Sequence, residues 1–473
     1  MSGEHLPMEG FPEHAKAALA DPIQRQALRA ATDLFRERRG SALQRAPAFE
    51  TWRDEARAIK DDSLLRLDEL LLEFERNATA KGVVVHWAED GSQASQILIA
   101  LCKERGIDRA AKSKSMTTEE ISLNAALAAA GIAAIETDLG EWIIQLAGET
   151  PFHIVVPAIH KTRAQIGEIL NAKTGVDRGA TAKELTEAAR VALREEFQKA
   201  GVGVSGANFA IAETGSILIL ENEGNARMCT TLPDLHVAFV GIEKVIPRLA
   251  DLPVFLRLLP RSGTGQDLTT YQSILTGRKR DDESDGPREL HVVLLDNGRS
   301  KMLREEILRQ SLACIRCGAC LNACPVYQQV GGHAYGSVYP GPIGAVITPQ
   351  LQDLHKAREL PFASSLCGAC RDVCPVKIDI PTLLLRLRKD LKEGGPGRAP
   401  AARSRLEAAV FAAWAFAMRG PFRYAAATFV ARCLDRWLSP VLRRLPPLSR
   451  WTRGRTAPRL ASRSFRSMWK EGL

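Results

Sequence analysis

Four cysteines, Cys314, Cys317, Cys320 and Cys324, follow one another at the spacing C-x2-C-x2-C-x3-C and end at Pro325, which leaves the backbone between them few conformations. A loop with this spacing points its first three thiolates around one cubane iron-sulfur cluster and sends the fourth to a neighbouring cluster. The proline ends the loop, because it lacks the N–H that a continuing helix or strand needs. Zinc ribbons draw their ligands from separated cysteine pairs, so this run argues for iron and sulfide rather than zinc.

A second run, Cys367, Cys370, Cys374 and Pro375, repeats the end of the pattern, and Ser364 stands where a full motif has its first cysteine. With fourth ligands exchanged in the usual way, cluster 1 is expected to take Cys314, Cys317, Cys320 and Cys374, and cluster 2 Cys324, Cys367 and Cys370. Cluster 1 is then [4Fe-4S]. Cluster 2 is either [4Fe-4S] with a non-cysteine ligand at one iron or [3Fe-4S] with that corner empty. Paired clusters suit the relay of single electrons, whereas stapling a loop needs only one. Cys102, Cys229 and Cys433 have no neighbour at ligand spacing and are read as structural.

Residues 1–80 are expected to form a helical segment, with DSLLRLDELLLEFERNA (62–78) as an amphipathic helix. From 81 to 298 strands and helices alternate. GVVVHWA, IAAIET and HIVVPA read as strands; SQASQILIALCKERG, TTEEISLNAALAAAG (with a capping-box start), KTRAQIGEILNA and TAKELTEAARVALREEFQKAG read as helices. Residues 207–224 read as a strand-turn-strand around Thr214-Gly215-Ser216, GRKRDDESDGP as a surface loop and ELHVVLLDNG as the last strand. The alternation predicts α/β layers around a largely parallel sheet. A helix over about 299–313 leads into a cysteine domain at 299–391, and a Gly/Pro/Ala linker at 392–404 precedes a basic helical extension at 405–473.

The formal charge of +9 belongs to one end. From Arg386 onward 20 Lys and Arg face 5 Asp and Glu, while the preceding residues carry 44 against 50. A whole-chain nucleic-acid function fails on that count, and no nucleic acid is expected as partner. In the tail, arginines interleave with Trp414, Phe422, Trp437, Trp451 and Trp469, which suits an acidic partner protein or membrane headgroups; a solvated basic face is the competing reading. The most apolar late stretch, Ala408 to Met418, is too short to span a bilayer. Clustered cysteines and an N-terminus without a secretory pattern point to the cytoplasm, peripheral to the inner membrane face if the tail binds there.

CIRCGACLNACPVYQQVGGHAYGSVYPGPIG and SSLCGACRDVCPVKIDIP, with GANFAIAETGSI and ENEGNARM upstream, resemble the iron-sulfur protein B family of the bacterial L-lactate utilisation system over nearly the whole chain. The resemblance implies an N-terminal lactate-utilisation domain, an α-helical ferredoxin-type two-cluster domain and that family's C-terminal extension. It further implies an electron-transfer component of an L-lactate dehydrogenase complex, working with two other subunits and an electron acceptor to oxidise lactate to pyruvate. In fold, the α/β part resembles the sugar-phosphate isomerase and CoA-transferase group. Two other readings fit the cysteines: the iron-sulfur subunit of another organic-acid or polyol dehydrogenase, and a redox-sensing protein whose α/β domain binds a metabolite.

GGHAYGSVYPGPIG (331–344) follows no strand and opens no obvious helix, so it reads as a loop packed over a cluster rather than a nucleotide loop. His333 and Tyr335 lie near enough in sequence to tune a cluster, with packing the expected role. Glu221-Asn222 matches the glutamate segment of CoA transferases over two residues only, and an acidic strand end is expected there. Glu213, Thr214, Gly215, Asn222 and Glu223 converge on one hairpin, where a small-ligand pocket is expected.

Overall fold

The computed structural model describes residues 9–395, 405–442, 449, 456 and 460–472. Two compact units divide the chain, 1–398 and 399–473. The first opens with four helices, α1 (Phe11–Ala20), α2 (Pro22–Gln44), α3 (Phe49–Leu65) and α4 (Leu67–Thr79). Among the described residues ten strands follow: β1 (Val84–Ala88), β2 (Arg109–Lys112), β3 (Ala133–Glu136), β4 (Val202–Gly206), β5 (Phe209–Ile211), β6 (Ser216–Glu221), β7 (Leu235–Gly241), β8 (Val245–Ile246), β9 (Tyr271–Leu275) and β10 (Glu289–Leu295).

Six of them form one parallel sheet in the order β1-β10-β7-β4-β2-β3, and the hairpin of β5 and β6 anchors a smaller sheet, β8-β5-β6-β9. Every residue of β7 is buried, the pattern of a strand covered on both faces. Alternate residues serve two cores: Ala238 and Val240 pack with α4, while Val237 and Phe239 pack with the helices Gly91–Glu104 and Leu123–Ala129. The strand order reverses between β2 and β4, since the chain runs outward from β2 to β3 and returns across it to β4. Ligand crevices in open α/β sheets lie beyond the carboxyl ends of the strands at such a point.

The structure departs from the sequence pattern in several places. Residues 62–78 are not one helix; α3 ends at Leu65 because the leucines serve two cores, Leu64 facing the cysteine region and Leu67, Leu70 and Phe74 the sheet. The stretch 117–131 divides at Ser122 (φ 52°), and Ser115 caps its first helix by accepting the Thr118 N–H in place of a capping box. Residues 153–158 form no strand. The N–H groups of Val155 and Val156 donate to His153 Nδ1 at 3.0 and 3.2 Å and Lys114 donates to the Val155 carbonyl, so no ladder edge is left. Strand β2 escaped the pattern because Arg109 and Lys112 bound it; Lys112 is buried between Glu119 and Glu136 at 2.7 and 2.6 Å. Over 299–313 a short helix, Arg299–Leu303, gives way to a tighter turn at Leu308–Ala313.

Helices α1–α3 wrap the cysteine region: Leu28, Phe49 and Ala56 share a core with Cys317, Cys320 and Tyr327. The glycine-rich stretch 331–344 packs between the two parts and, unlike the sequence reading, opens a helix at Gly341–Leu351. Gly332 lies so close to Phe152 that a Cβ would stand 1.7 Å from its carbonyl oxygen.

The second unit contains the helices Arg405–Met418, Pro421–Leu442 and Phe465–Lys470. Arg423 lies over Phe416 at 4.3 Å and Arg466 over Tyr424 at 5.2 Å, while Trp414, Phe422 and Trp469 are exposed. The linker beyond residue 395 and Trp451 lie outside the described residues, as does the side chain of Trp437. Among the described residues no helix is long and apolar enough to cross a membrane.

Gly332→Ala is expected to cost about 1–3 kcal/mol through overpacking, read as a lower unfolding temperature. Gly40→Ala, with nothing within 4 Å of the added Cβ in α2, serves as the control and is expected to be neutral or slightly stabilising.

Candidate metal centre

The two cysteine runs bend alike. Arg316 (φ 60°) and Gly318 (φ 77°) turn the first loop, and Leu366 (φ 55°) and Gly368 (φ 87°) turn the second at matching positions. Left-handed backbone at a non-glycine residue costs about 1–2 kcal/mol, and both loops carry it one residue before a cysteine. Short helices, Ala319–Ala323 and Ala369–Asp372, then lead to the Cys-Pro corners.

Cys314, Cys317, Cys320 and Cys374 line one small cavity walled by Ile154, Ile315, Ile343 and Ile378. Cys324, Cys367 and Cys370 lie together beside it, close enough for their charges to act on one another, and Cys320 acts on Cys370 in the same way. The seven cysteines therefore come together as four and three, each run lending one sulfur to the other's group. Cys367 is exposed; the other six are buried or part-buried.

The donor set suits iron-sulfur clusters. Among the described residues, no three cysteine sulfurs lie within 4.8 Å of one another, whereas a tetrahedral zinc with bonds of about 2.3 Å would hold them roughly 3.8 Å apart. Burial, aided by neighbouring sulfurs, pushes the thiols of Cys317 and Cys320 far up, Cys370 to about 12 and Cys374 to about 11. Only the positive charge of bound metal would hold such groups as thiolates near neutral pH. Backbone N–H groups of Arg316 and Ile378 donate to Cys314 and Cys374 Sγ at 3.4 and 3.3 Å. The Leu366 N–H donates to Ser364 Oγ at 3.1 Å, so Ser364 occupies in the second loop the place of Cys314 in the first.

Three family models match in succession: the LUD domain over 71–295, a 4Fe-4S dicluster domain over 310–378, and the C-terminal model of lactate utilisation protein B over 386–472. Lactate utilization protein B of Macrococcus caseolyticus is 46% identical over 81% of this chain and 81% of its own. That of Shouchella clausii is 41% identical over 97% and 96%. The chain belongs to the lactate utilisation protein B family. A further relative, the uncharacterized electron transport protein YkgF of Escherichia coli, is 40% identical over 98% of this chain and 96% of its own.

Around the dicluster segment of this family member the structure sets several side chains that the motifs did not reveal. Arg53 of α3 donates from Nε to the Cys374 carbonyl at 2.9 Å. Arg316, between two cysteines of the first loop, stacks 4.8 Å from the Tyr339 ring and pairs with Glu243 at 3.3 Å. Of the two residues expected near a cluster, Tyr335 is buried beside Cys324 with its hydroxyl unpartnered among the described residues. His333 turns away, its Nε2 2.8 Å from the Thr150 carbonyl and its ring against His160.

Glu221 accepts the N–H groups of Ala226 and Arg227 at 2.8 and 2.9 Å, the structural role expected of an acidic strand end. Of the hairpin residues, Asn222 and Glu223 line a cavity beyond β4, whereas Glu213 accepts the Leu249 N–H at 2.8 Å and lies elsewhere. Cys102 and Cys229 are buried and Cys433 is exposed.

Glu243 is the acid on which the first loop rests. Burial alone would raise its pKa, but Arg299 and Arg316 hold it at about 2. Its ionised form therefore stabilises the fold fully above the ordinary carboxylate range near 4.5, and that contribution is lost as pH falls toward 2. Glu243→Gln leaves two buried guanidinium groups short of a partner and is expected to cost about 3–5 kcal/mol. Unfolding measured between pH 7 and pH 3 is expected to show the gap between wild type and variant narrowing as the solution is acidified.

Proposed function

We propose that the protein is the iron-sulfur electron-transfer subunit of a multi-subunit system that oxidises L-lactate to pyruvate. The observation that carries this reading is the pairing of the cysteines as four and three in adjoining positions of one core. Two clusters held there would supply one-electron redox chemistry. Cys314, Cys317, Cys320 and Cys374 would hold cluster 1 and Cys324, Cys367 and Cys370 cluster 2, with Ser364 beside the eighth corner. The names of the relatives supply the substrate, and two other lactate-utilisation subunits are the expected partners. The chain's own residues exclude water from the first group, which lies among isoleucines. Exposed Cys367 brings the second group to the surface, where a partner can approach for electron exchange.

In domain terms, residues 81–298 would form the lactate-utilisation domain and 299–391 the cluster domain. The basic unit at 405–473 would bind an acidic partner protein or anionic headgroups at the cytoplasmic face of the membrane.

Anaerobically purified protein is expected to carry about 7 to 8 iron atoms per chain and no stoichiometric zinc. With its partners present, lactate should reduce it, monitored by electron paramagnetic resonance. Cys317→Ala is expected to abolish that reduction; full activity in a folded variant lacking its cluster would refute the relay. Deleting residues 405–473 should leave the iron in place yet weaken partner or anionic-vesicle binding in a salt-dependent way. Unchanged binding at low salt would reduce the tail to a solvated basic surface.

A further inference from the structure

Beyond the carboxyl ends of β2 and β4, where the strand order reverses, lies a cavity of about 370 Å³, within the range of about 300–1,000 Å³ typical of small-molecule sites. The turns after both strands line it, and Arg316 and Cys317 of the first cysteine loop close another side. The cavity thus shares a wall with the position expected for cluster 1.

Its charged lining is almost entirely spoken for. Asp138 accepts the Glu141 N–H at 3.1 Å, Glu223 the Leu139 N–H at 3.0 Å, and Glu221 the two helix N–H groups already described. Lys114 donates to the Val155 carbonyl. Lys244 is the exception: part-buried in this wall, it has no ion pair or hydrogen bond among the described residues. Burial and Arg316 lower its pKa to about 8, which leaves it largely charged at neutral pH. Arg316, paired with Glu243 through Nη2, brings further cationic charge, its Nε and Nη1 buried and without a hydrogen-bond partner among the described residues. Glu243, the neighbouring residue, is already paired with Arg299 and Arg316, so an anion in the cavity would give the Lys244 ammonium a hydrogen-bonded counter-charge that it lacks among the described residues.

We propose that this cavity binds a small 2-hydroxy or 2-oxo carboxylate, its carboxylate on the Lys244 ammonium beside Arg316 and its body against the wall that contains Cys317. The preference for an anion follows from Lys244 and Arg316 on this wall, while Asp138, Glu221 and Glu223 elsewhere in the lining hold backbone N–H groups; the choice of acid rests on the lactate reading above. The space is larger than a three-carbon acid fills, so longer 2-hydroxy acids enter as well.

The test uses the full chain, purified anaerobically with its iron content verified, and titrates it with L-lactate, pyruvate, the neutral isostere lactamide and inorganic phosphate by calorimetry. Paramagnetic spectra of the reduced protein are recorded with each. L-Lactate and pyruvate are expected to bind and to perturb the cluster signal, with lactamide at least tenfold weaker. Lys244→Met should weaken both acids at least tenfold with iron content and unfolding temperature unchanged, and Lys244→Arg should restore binding. The proposal is overturned if iron-replete wild type binds neither acid, if lactamide binds as well as lactate, if phosphate binds more tightly than either acid, or if Lys244→Met binds like wild type. The lactamide comparison needs no variant, so it decides the charge requirement even where Lys244→Met fails to fold. Reduction by the partner subunits is measured separately: the relay can stand with an empty cavity, and acid binding can hold where the relay fails.

Discussion

A guanidinium group out of reach of water joins the two halves of the larger unit. Arg299, one turn beyond β10 and 1% exposed, pairs with Glu120 at 2.8 Å and Glu243 at 2.5 Å. Tyr339 from the cysteine region donates its hydroxyl to Glu120 at 2.7 Å, and Arg316 from the first cysteine loop shares Glu243. Such a network adds little net stability over apolar packing, but none of its members can be left unpaired. The sheet and the first cysteine loop therefore meet in one arrangement.

That arrangement brings the carboxyl end of the parallel sheet against the first cysteine loop. The helix Leu252–Gly263 ends so close to the loop that a Cβ on Gly263 would lie 2.4 Å from the Cys317 carbonyl oxygen. Asn322 fastens the same seam, donating to the Gly263 carbonyl at 2.9 Å and lying 3.1 Å from His153 Nε2. Residues 153–158 explain themselves here: they are apolar because they cover the cysteine region, and their backbone is satisfied by His153 and Lys114 instead of a neighbouring strand. From the other side α3 holds the second run, with Arg53 on the Cys374 carbonyl and Arg57 on the Lys377 carbonyl.

The candidate site was legible where chemistry imposes spacing. Thiolates around a cubane must come from fixed intervals of chain, so Cys314 to Cys324 and Cys367 to Cys374 announced themselves, and the absent cysteine at Ser364 was visible by counting. Apolar runs bounded by turn residues mark strands, so the edge strands β1 and β3 and the buried inner strand β10 could be read directly. Strand β2 could not, because its terminal charges are neutralised by Glu196, Glu119 and Glu136, which are distant in sequence or lie on later elements.

Sequence alone determined where the seven clustered cysteines lie, the α/β alternation and the basic composition of the tail, since each depends on local spacing or composition. Tertiary structure decided what surrounds the cysteines. Nothing in the pattern marks Glu243 or Arg299, because a buried charge takes its meaning from the partner it meets, and those partners arrive from elements tens or hundreds of residues away. It also decided that α1–α3 belong to the cysteine region and that 153–158 is a buried loop. Hydrophobic periodicity tells that a face is covered, and only the packed chain tells by what.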